Sequence, residues 1–303
     1  MQALEQRLNA ARTSAAVGPV LTRGLLRLHG KDRHAFVQRM STQKVTGLAP
    51  GVAVHAAFLE VKAHVVADAR LLVRPDDLLI DVEPSVAEPL RAHLARYVIM
   101  DQVKIEDVSG AWRVVPVFGP GGIQAAEGHP PEVQLWENPR RGAPAVDALV
   151  ACERADGFWA AMVATGAVPL EEGDLEVLRV MAGVPRQGAD LDSSRLVMEA
   201  GLRSAMSFDK GCYLGQEVVL RGTFRGQVQR GLVQLGLAPG TPAGALLSAD
   251  GAEVGTVTSA VDTPDGRLGL GYVRRAHFNP GDRLATPSGE AVVRCVLVQE
   301  RER

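Results

Sequence analysis

Turn dipeptides at Asp250-Gly251, Asp265-Gly266 and Ser288-Gly289 punctuate the last part of the chain and restrict its fold more than any other local feature. Pairs of this kind supply the positive φ values that tight hairpins require. Between them run short apolar segments with period-two alternation, such as Val233-Gln234-Leu235-Gly236-Leu237, which reads as strand. Closely spaced strands joined by tight turns pair antiparallel. A composition change near Arg225-Gly226 marks where this region begins, and from there the sequence predicts a small antiparallel β-barrel or sandwich.

Upstream, strand and helix signals are mixed. Leu25-Leu26-Arg27-Leu28 reads as a strand running into His29-Gly30-Lys31. Asp32 then stands where it can cap a helix with Phe36, Val37 and Met40 on one face. Strand-like runs follow at 53–61, 65–73 and 78–82, with Arg74-Pro75-Asp76-Asp77 as a turn. Ser85 and Glu88 have capping-box spacing ahead of Val86, Leu90, Leu94 and Tyr97 at helical intervals. The interval 119–144 is rich in Gly and Pro and reads as loop-like connection. Its Gly119-Pro120-Gly121-Gly122 has neither dinucleotide-fingerprint nor Walker spacing.

At 303 residues the chain is long enough for two or three domains. A net charge of −2, with Lys and Arg scattered through both halves, argues against broad nucleic-acid binding. No apolar run reaches the roughly 20 residues that span a bilayer. The first residues lack a secretory apolar core, so a cytoplasmic protein is expected. Cys152, Cys212 and Cys295 are too far apart in sequence for a local zinc or iron–sulfur motif, and no metal is assigned. Cys295, within Val292-Val293-Arg294-Cys295-Val296-Leu297, reads as a packed strand position.

The densest run of special-purpose residues is Lys210-Gly211-Cys212-Tyr213-Leu214-Gly215-Gln216-Glu217. Gly211 and Gly215 permit positive φ and close approach of backbone. Lys210 can lower the pKa of Cys212 if the two side chains converge, while the structural alternative makes Cys212 a small buried residue in a turn. Tyr213 is suited to stack on a flat ligand or to fill core. Gln216 and Glu217 can open a helix. Arg221 and Arg225 are either two cations for an anionic tail or solvated surface charges.

This octapeptide resembles the YgfZ branch of the glycine-cleavage T-protein (aminomethyltransferase) family, in which T-proteins tend to carry Lys-Gly-Asp-Phe-Ile-Gly instead. The resemblance implies an α+β fold of three domains arranged as a cloverleaf around a central folate cavity, ending in the β-barrel. The expected boundaries are 1–110 plus 186–225 for the cavity domain, 111–185 for a second small α/β domain, and 226–303 for the barrel. A monomer is expected.

The same resemblance implies tetrahydrofolate or a derivative as ligand and names residues to examine. Asp68, in Ala67-Asp68-Ala69-Arg70, stands in the strand where T-proteins carry paired aspartates, with Ala67 replacing one of them. Read alone, Asp68 is either a ligand contact or half of an ion pair with a neighbour such as Arg70. Leu178-Arg179-Val180-Met181-Ala182-Gly183 resembles a family segment whose Glu contacts the pterin, and Met181 replaces that Glu. Glu176 and Glu199 are possible substitutes, and Arg179 either holds a ligand carboxylate or bridges domains. Cys212, aided by Lys210, is the expected reactive residue, whether as nucleophile, redox group or soft-metal ligand.

The implied function is a folate-binding accessory protein supporting assembly or repair of iron–sulfur clusters in client proteins. Two alternatives stand beside it: a folate-dependent aminomethyl or methyl transferase, and a scaffold that has lost folate.

Overall fold

The computed structural model describes residues 2–130, 132–222 and 228–298. Along the chain the order is α1 (Gln2–Thr13), β1 (Ala16–Val17), β2 (Gly24–His29), α2 (Arg33–Met40), β3 (Ala53–Leu59), β4 (Val65–Val73), β5 (Asp77–Val82) and α3 (Pro84–Ala95). Then come β6 (Lys104–Asp107), β7 (Trp112–Phe118), α4 (Gly119–Glu127), β8 (Gln134–Glu137), β9 (Ala145–Ala151), α5 (Ala155–Ala164), β10 (Val168–Pro169), α6 (Glu172–Met181) and α7 (Gln216–Leu220). The barrel strands are β11 (Arg230–Leu237), β12 (Leu246–Ala249), β13 (Ala252–Thr263), β14 (Gly266–Arg274), β15 (Arg283–Thr286) and β16 (Gly289–Val296).

Side-chain alternation explains the first sheet, ordered β3-β4-β5-β2-β6. One face presents Leu26, Leu28, Phe58, Ala67, Leu71 and Ile80 to Phe36 of α2 and Leu90 of α3, forming a wholly apolar core. Residues of opposite parity point the other way. At one end of that second face Leu25, Leu72 and Leu79 pack on Val114, Trp136 and Leu149 of the second sheet. At the other end it carries His55, Asp68, Arg70 and Asp81, paired across β3, β4 and β5. The charged face is therefore the reverse of an ordinary helix-covered sheet.

The second sheet is ordered β10-β1-β7-β9-β8, so β1 joins it although β1 precedes the first sheet in sequence. Its outer face, including Val115, Val117, Val146 and Ala148, is covered by Phe158 and Met162 of α5 and Ala126 of α4. The terminal strands close into a six-stranded antiparallel barrel among the described residues, as the turn dipeptides predict. Asp250 and Gly251 both have positive φ, and Gly266 and Gly289 do so at the next hairpins. One apolar cluster unites the barrel with Val177, Leu178 and Val180 of α6 and with Leu8 of α1.

Three local expectations are corrected. The Gly/Pro-rich interval contains α4, which Pro120 opens at its first turn and whose buried Gly122 allows close packing beside Ala16 and Val117. Helix α3 has no Ser85–Glu88 capping box; Pro84 pre-sets its first turn, and Glu88 instead accepts from Arg91 Nε at 2.7 Å. Likewise the Asp32 side chain makes no cap bond to α2 and accepts from the Gln102 amide at 2.8 Å.

Candidate functional site

Between the charged face of the first sheet, the β8–β9 connection and α6 lies a cavity of about 560 Å³, within the range typical of small-molecule sites. Its walls carry the cations Arg23, Arg70, Arg140, Arg141, Arg179 and Arg186, with the carboxylates Asp68, Asp81, Glu83, Glu172 and Glu176. Most of these cations are already paired, which decides what each can still do for a ligand.

Asp68 sits at the centre of a chain of contacts. Its Oδ1 meets His55 Nε2 at 2.5 Å, and its Oδ2 accepts from Arg140 Nη2 at 2.6 Å. The other ring nitrogen, His55 Nδ1, lies 2.7 Å from Ser204 Oγ, and Arg140 Nη2 also donates to the Pro185 carbonyl at 3.2 Å. Burial by itself would raise the Asp68 carboxyl, but the Arg140 charge and then the contact with His55 hold it below its ordinary value. Burial lowers the His55 pKa despite the opposing Asp68 charge, so the ring is neutral at physiological pH. Asp68 lines the cavity and is ion-paired, with Arg140 rather than Arg70.

Behind this chain, Asp147 of β9 takes Arg70 Nη1, Arg141 Nε at 2.8 Å and Asn138 Nδ2 at 2.6 Å. Arg70 also donates to the Glu137 carbonyl at 2.7 Å. Arg23 joins Asp81 at 2.7 Å and pairs with Glu83. The network fixes the two sheets against one another along the cavity wall. None of His55, Ser204, Arg140 or Asp147 was singled out from sequence. Key partners are distant in sequence, Ser204 for His55, Asp68 for Arg140 and Arg70 for Asp147, and only the parity shared by His55, Asp68 and Arg70 on β3 and β4 was available as a signal.

Arg179 is a bridge. It donates to Glu176 Oε2 at 2.9 Å, to the Val184 carbonyl and Asp190 Oδ2 at 2.7 Å, and to Ser259 Oγ of the barrel at 2.8 Å. Glu176, one proposed substitute for the missing family Glu, does reach the cavity, where Arg179 and Arg186 hold it. Glu199 instead is buried and pairs with Arg230 at 3.1 Å, and it does not line this cavity. Met181 is absent from the lining as well: it packs on the core shared by α6 and the barrel, with Arg12 Nη2 at 3.4 Å from its sulfur.

The octapeptide lies beside the β3–β4 turn and the end of α2, outside the cavity lining. Lys210 Nζ donates to the carbonyls of Gln38 and Ser41 at 2.6 Å and of Gln43 at 2.9 Å. Burial pushes this amine down to about 8, while the three carbonyls favour the protonated form. Its charge is held by these three carbonyls at the end of α2. The Cys212 side chain is exposed. Tyr213 fills core among Leu59, Val65, Leu202 and Val219, and burial raises its phenol to about 12.

Gly215 adopts φ +83° as the residue preceding α7, where a Cβ would come within 2.7 Å of the Glu60 carbonyl. Gly211 has open space around its Cα. The Gln216 side chain accepts from the Tyr213 amide at 3.3 Å, closing the loop onto the start of α7. Glu217 and Arg221 form an exposed pair one helical turn apart. Arg225 lies outside the described residues.

Comparison with known proteins shows what the fold and the sequence are similar to. Over 98% of this chain and 90% of the other, the structure matches the crystal structure of glycine cleavage system aminomethyltransferase T from Bartonella henselae, with a TM-score of 0.83 at 18% identity. Residues 1–127 match the GCVT N-terminal domain family. Similar proteins include a chloroplastic protein named as a transferase from Arabidopsis thaliana, 26% identical over 86% of this chain and 66% of its own length. An aminomethyltransferase of Rubrobacter xylanophilus is 28% identical over 87% and 77%. A mitochondrial iron–sulfur cluster assembly factor homologue of Phaeosphaeria nodorum is 27% identical over 73% and 55%, so the chain spans little more than half of that relative. The chain is thus similar, at low identity, both to aminomethyltransferases and to iron–sulfur cluster assembly factor homologues, and its first 127 residues match the GCVT N-terminal domain family.

Proposed function

We propose that this chain binds tetrahydrofolate or a derivative in the cavity and acts as an accessory protein for iron–sulfur cluster assembly or repair in other enzymes. The observation that supports folate is the chemistry of the lining. A folate carries carboxylates at one end and a ring rich in N–H donors at the other, and this cavity offers both cations and carboxylates. Arg186, 44% exposed and paired with Glu176 at 3.4 Å, is the cation best able to turn to the ligand's carboxylates. Glu176, whose oxygens accept from Arg179 and Arg186 until a ligand competes for them, is the wall carboxylate we assign to the pterin donors. When bound, tetrahydrofolate supplies a nucleophilic nitrogen that carries one-carbon units.

The accessory reading is favoured over one-carbon transfer by Asp68. A transferase needs a group that steers the folate toward the donor carbon, and here Ala67 is buried in the apolar core while both Asp68 oxygens are engaged. The transferase reading draws its own support from the aminomethyltransferase relative that covers most of the chain. Titration calorimetry with tetrahydrofolate and 5-formyltetrahydrofolate tests the ligand. Micromolar binding, about −8 kcal/mol, that Arg186→Ala weakens at least about tenfold is expected; no heat with either folate would remove folate from the reading. Transfer from an aminomethylated lipoyl protein to tetrahydrofolate would replace the accessory role by catalysis. If Cys212 serves the client proteins, cells lacking this chain regain cluster-dependent activity with wild type but not with Cys212→Ala.

A further inference from the structure

The contact chain Ser204–His55–Asp68 has the order hydroxyl, imidazole, carboxylate. Proton positions follow from the partners. Asp68, held below its ordinary pKa beside Arg140, is ionised and can only accept, so His55 Nε2 carries the hydrogen directed at Oδ1 across 2.5 Å. A neutral ring then leaves Nδ1 with its lone pair, and Nδ1 faces the Ser204 hydroxyl at 2.7 Å and Arg140 Nη1 at 3.4 Å. Both neighbours are donors, as that tautomer requires.

The geometry is held from several sides. Gln43 Nε2 donates to the carbonyls of both His55, at 3.0 Å, and Ser204, at 3.1 Å, stapling the serine's turn to β3. On the far side of Ser204, buried Thr42 donates through Oγ1 to the Ala205 carbonyl at 2.5 Å. The base is buried at 9% side-chain exposure, whereas Ser204 itself is exposed. An accessible hydroxyl bonded to an oriented, neutral imidazole is the arrangement that nucleophilic catalysis uses, and it is recognised by geometry rather than by chain order.

We propose that Ser204 is a base-activated nucleophile that accepts acyl groups from small carboxylic esters, with His55 as general base and Asp68 as the residue that positions it. Ser204 Oγ bonds to the ester carbonyl carbon as its proton passes to His55 Nδ1; the ester C–O bond breaks, and the departing alkoxide takes that proton. Water, deprotonated by the same nitrogen, then adds to the acyl-serine. The carboxylic acid leaves and Ser204 regains its proton. Arg140, with Nη1 3.4 Å from His55 Nδ1, supplies positive charge beside the reacting group while the carbonyl oxygen becomes anionic. The activity does not require folate.

The test incubates the full chain with p-nitrophenyl acetate and, separately, with a fluorophosphonate, followed by intact mass and peptide mapping. One adduct at Ser204 and a stoichiometric burst of p-nitrophenolate are expected. Ser204→Ala should abolish both, and His55→Gln should slow acylation at least about 100-fold. Thermal melts confirm that each variant is folded; should His55→Gln fail to fold, the Ser204→Ala comparison and the mapped adduct still decide. No adduct at Ser204, acylation only at other residues, or a Ser204 rate unchanged in folded His55→Gln would overturn the proposal.

Discussion

Asp147 occupies the middle of β9, with apolar neighbours on both sides in sequence, and is 2% exposed. Such a carboxylate is tolerable only when fully paired, and Arg70, Arg141 and Asn138 supply the pairing. Burial works against its ionisation, but Arg141 and Arg70 outweigh burial and bring the carboxyl from an ordinary 3.8 to about 2. A depressed folded pKa contributes stability that is complete above the unfolded value and is lost as pH falls through the folded one. Asp147 should therefore contribute on the order of 2 kcal/mol that disappears between about pH 4 and pH 2. Asp147→Asn leaves the two guanidiniums without their carboxylate and is expected to cost about 3–5 kcal/mol at neutral pH. Urea unfolding at a series of pH values checks both: the gap between wild type and variant should narrow on acidification. The lone Asp within an apolar strand was visible in sequence, whereas Arg70, 77 positions away, was not.

The elements legible in the sequence are those whose signals are local. Hairpin dipeptides and two-residue alternation marked the barrel, and the runs at 53–61, 65–73 and 78–82 became β3, β4 and β5 with small shifts at their ends. Helix α4 was concealed because its glycines answer to packing rather than to flexibility: Gly119 takes φ +74° against the Ser14 carbonyl, a contact with a segment far upstream. In the octapeptide, glycine chemistry was readable but its target was not. Gly215→Ala should incur the cost of a left-handed residue, about 1–2 kcal/mol, and in addition a clash with Glu60. Gly240→Ala, at φ +78° with nothing nearby, isolates the backbone component. Denaturant midpoints should fall for both variants and further for Gly215→Ala. Equal losses would show that the loop shifts freely from the β3–β4 turn.

At the level of the whole molecule, Arg179 determines how much of the cavity wall is scaffold and how much is binding surface. Its guanidinium joins α6 to the segment after it and to the barrel, and Asp190, with a fully buried side chain, depends on it together with the hydroxyls of Thr258 and Ser259 and the Arg186 amide. The family resemblance allowed Arg179 to hold ligand or to bridge domains, and only the assembled structure shows that every nitrogen has a protein acceptor. Arg179→Met should then leave Asp190 as an uncompensated buried carboxylate, costing about 3–5 kcal/mol. Because the apolar cluster of α6 and the barrel remains, hydrogen exchange should quicken chiefly in α6 and β13 rather than throughout the chain. In the double variant Arg179→Met/Asp190→Leu much of the loss should be recovered, with a coupling of about 0.5–3 kcal/mol. If Arg179→Met were instead nearly neutral for unfolding yet abolished folate binding, the barrel would be held by apolar contact alone, and Arg179 would belong with Arg186 among the cations that serve the ligand.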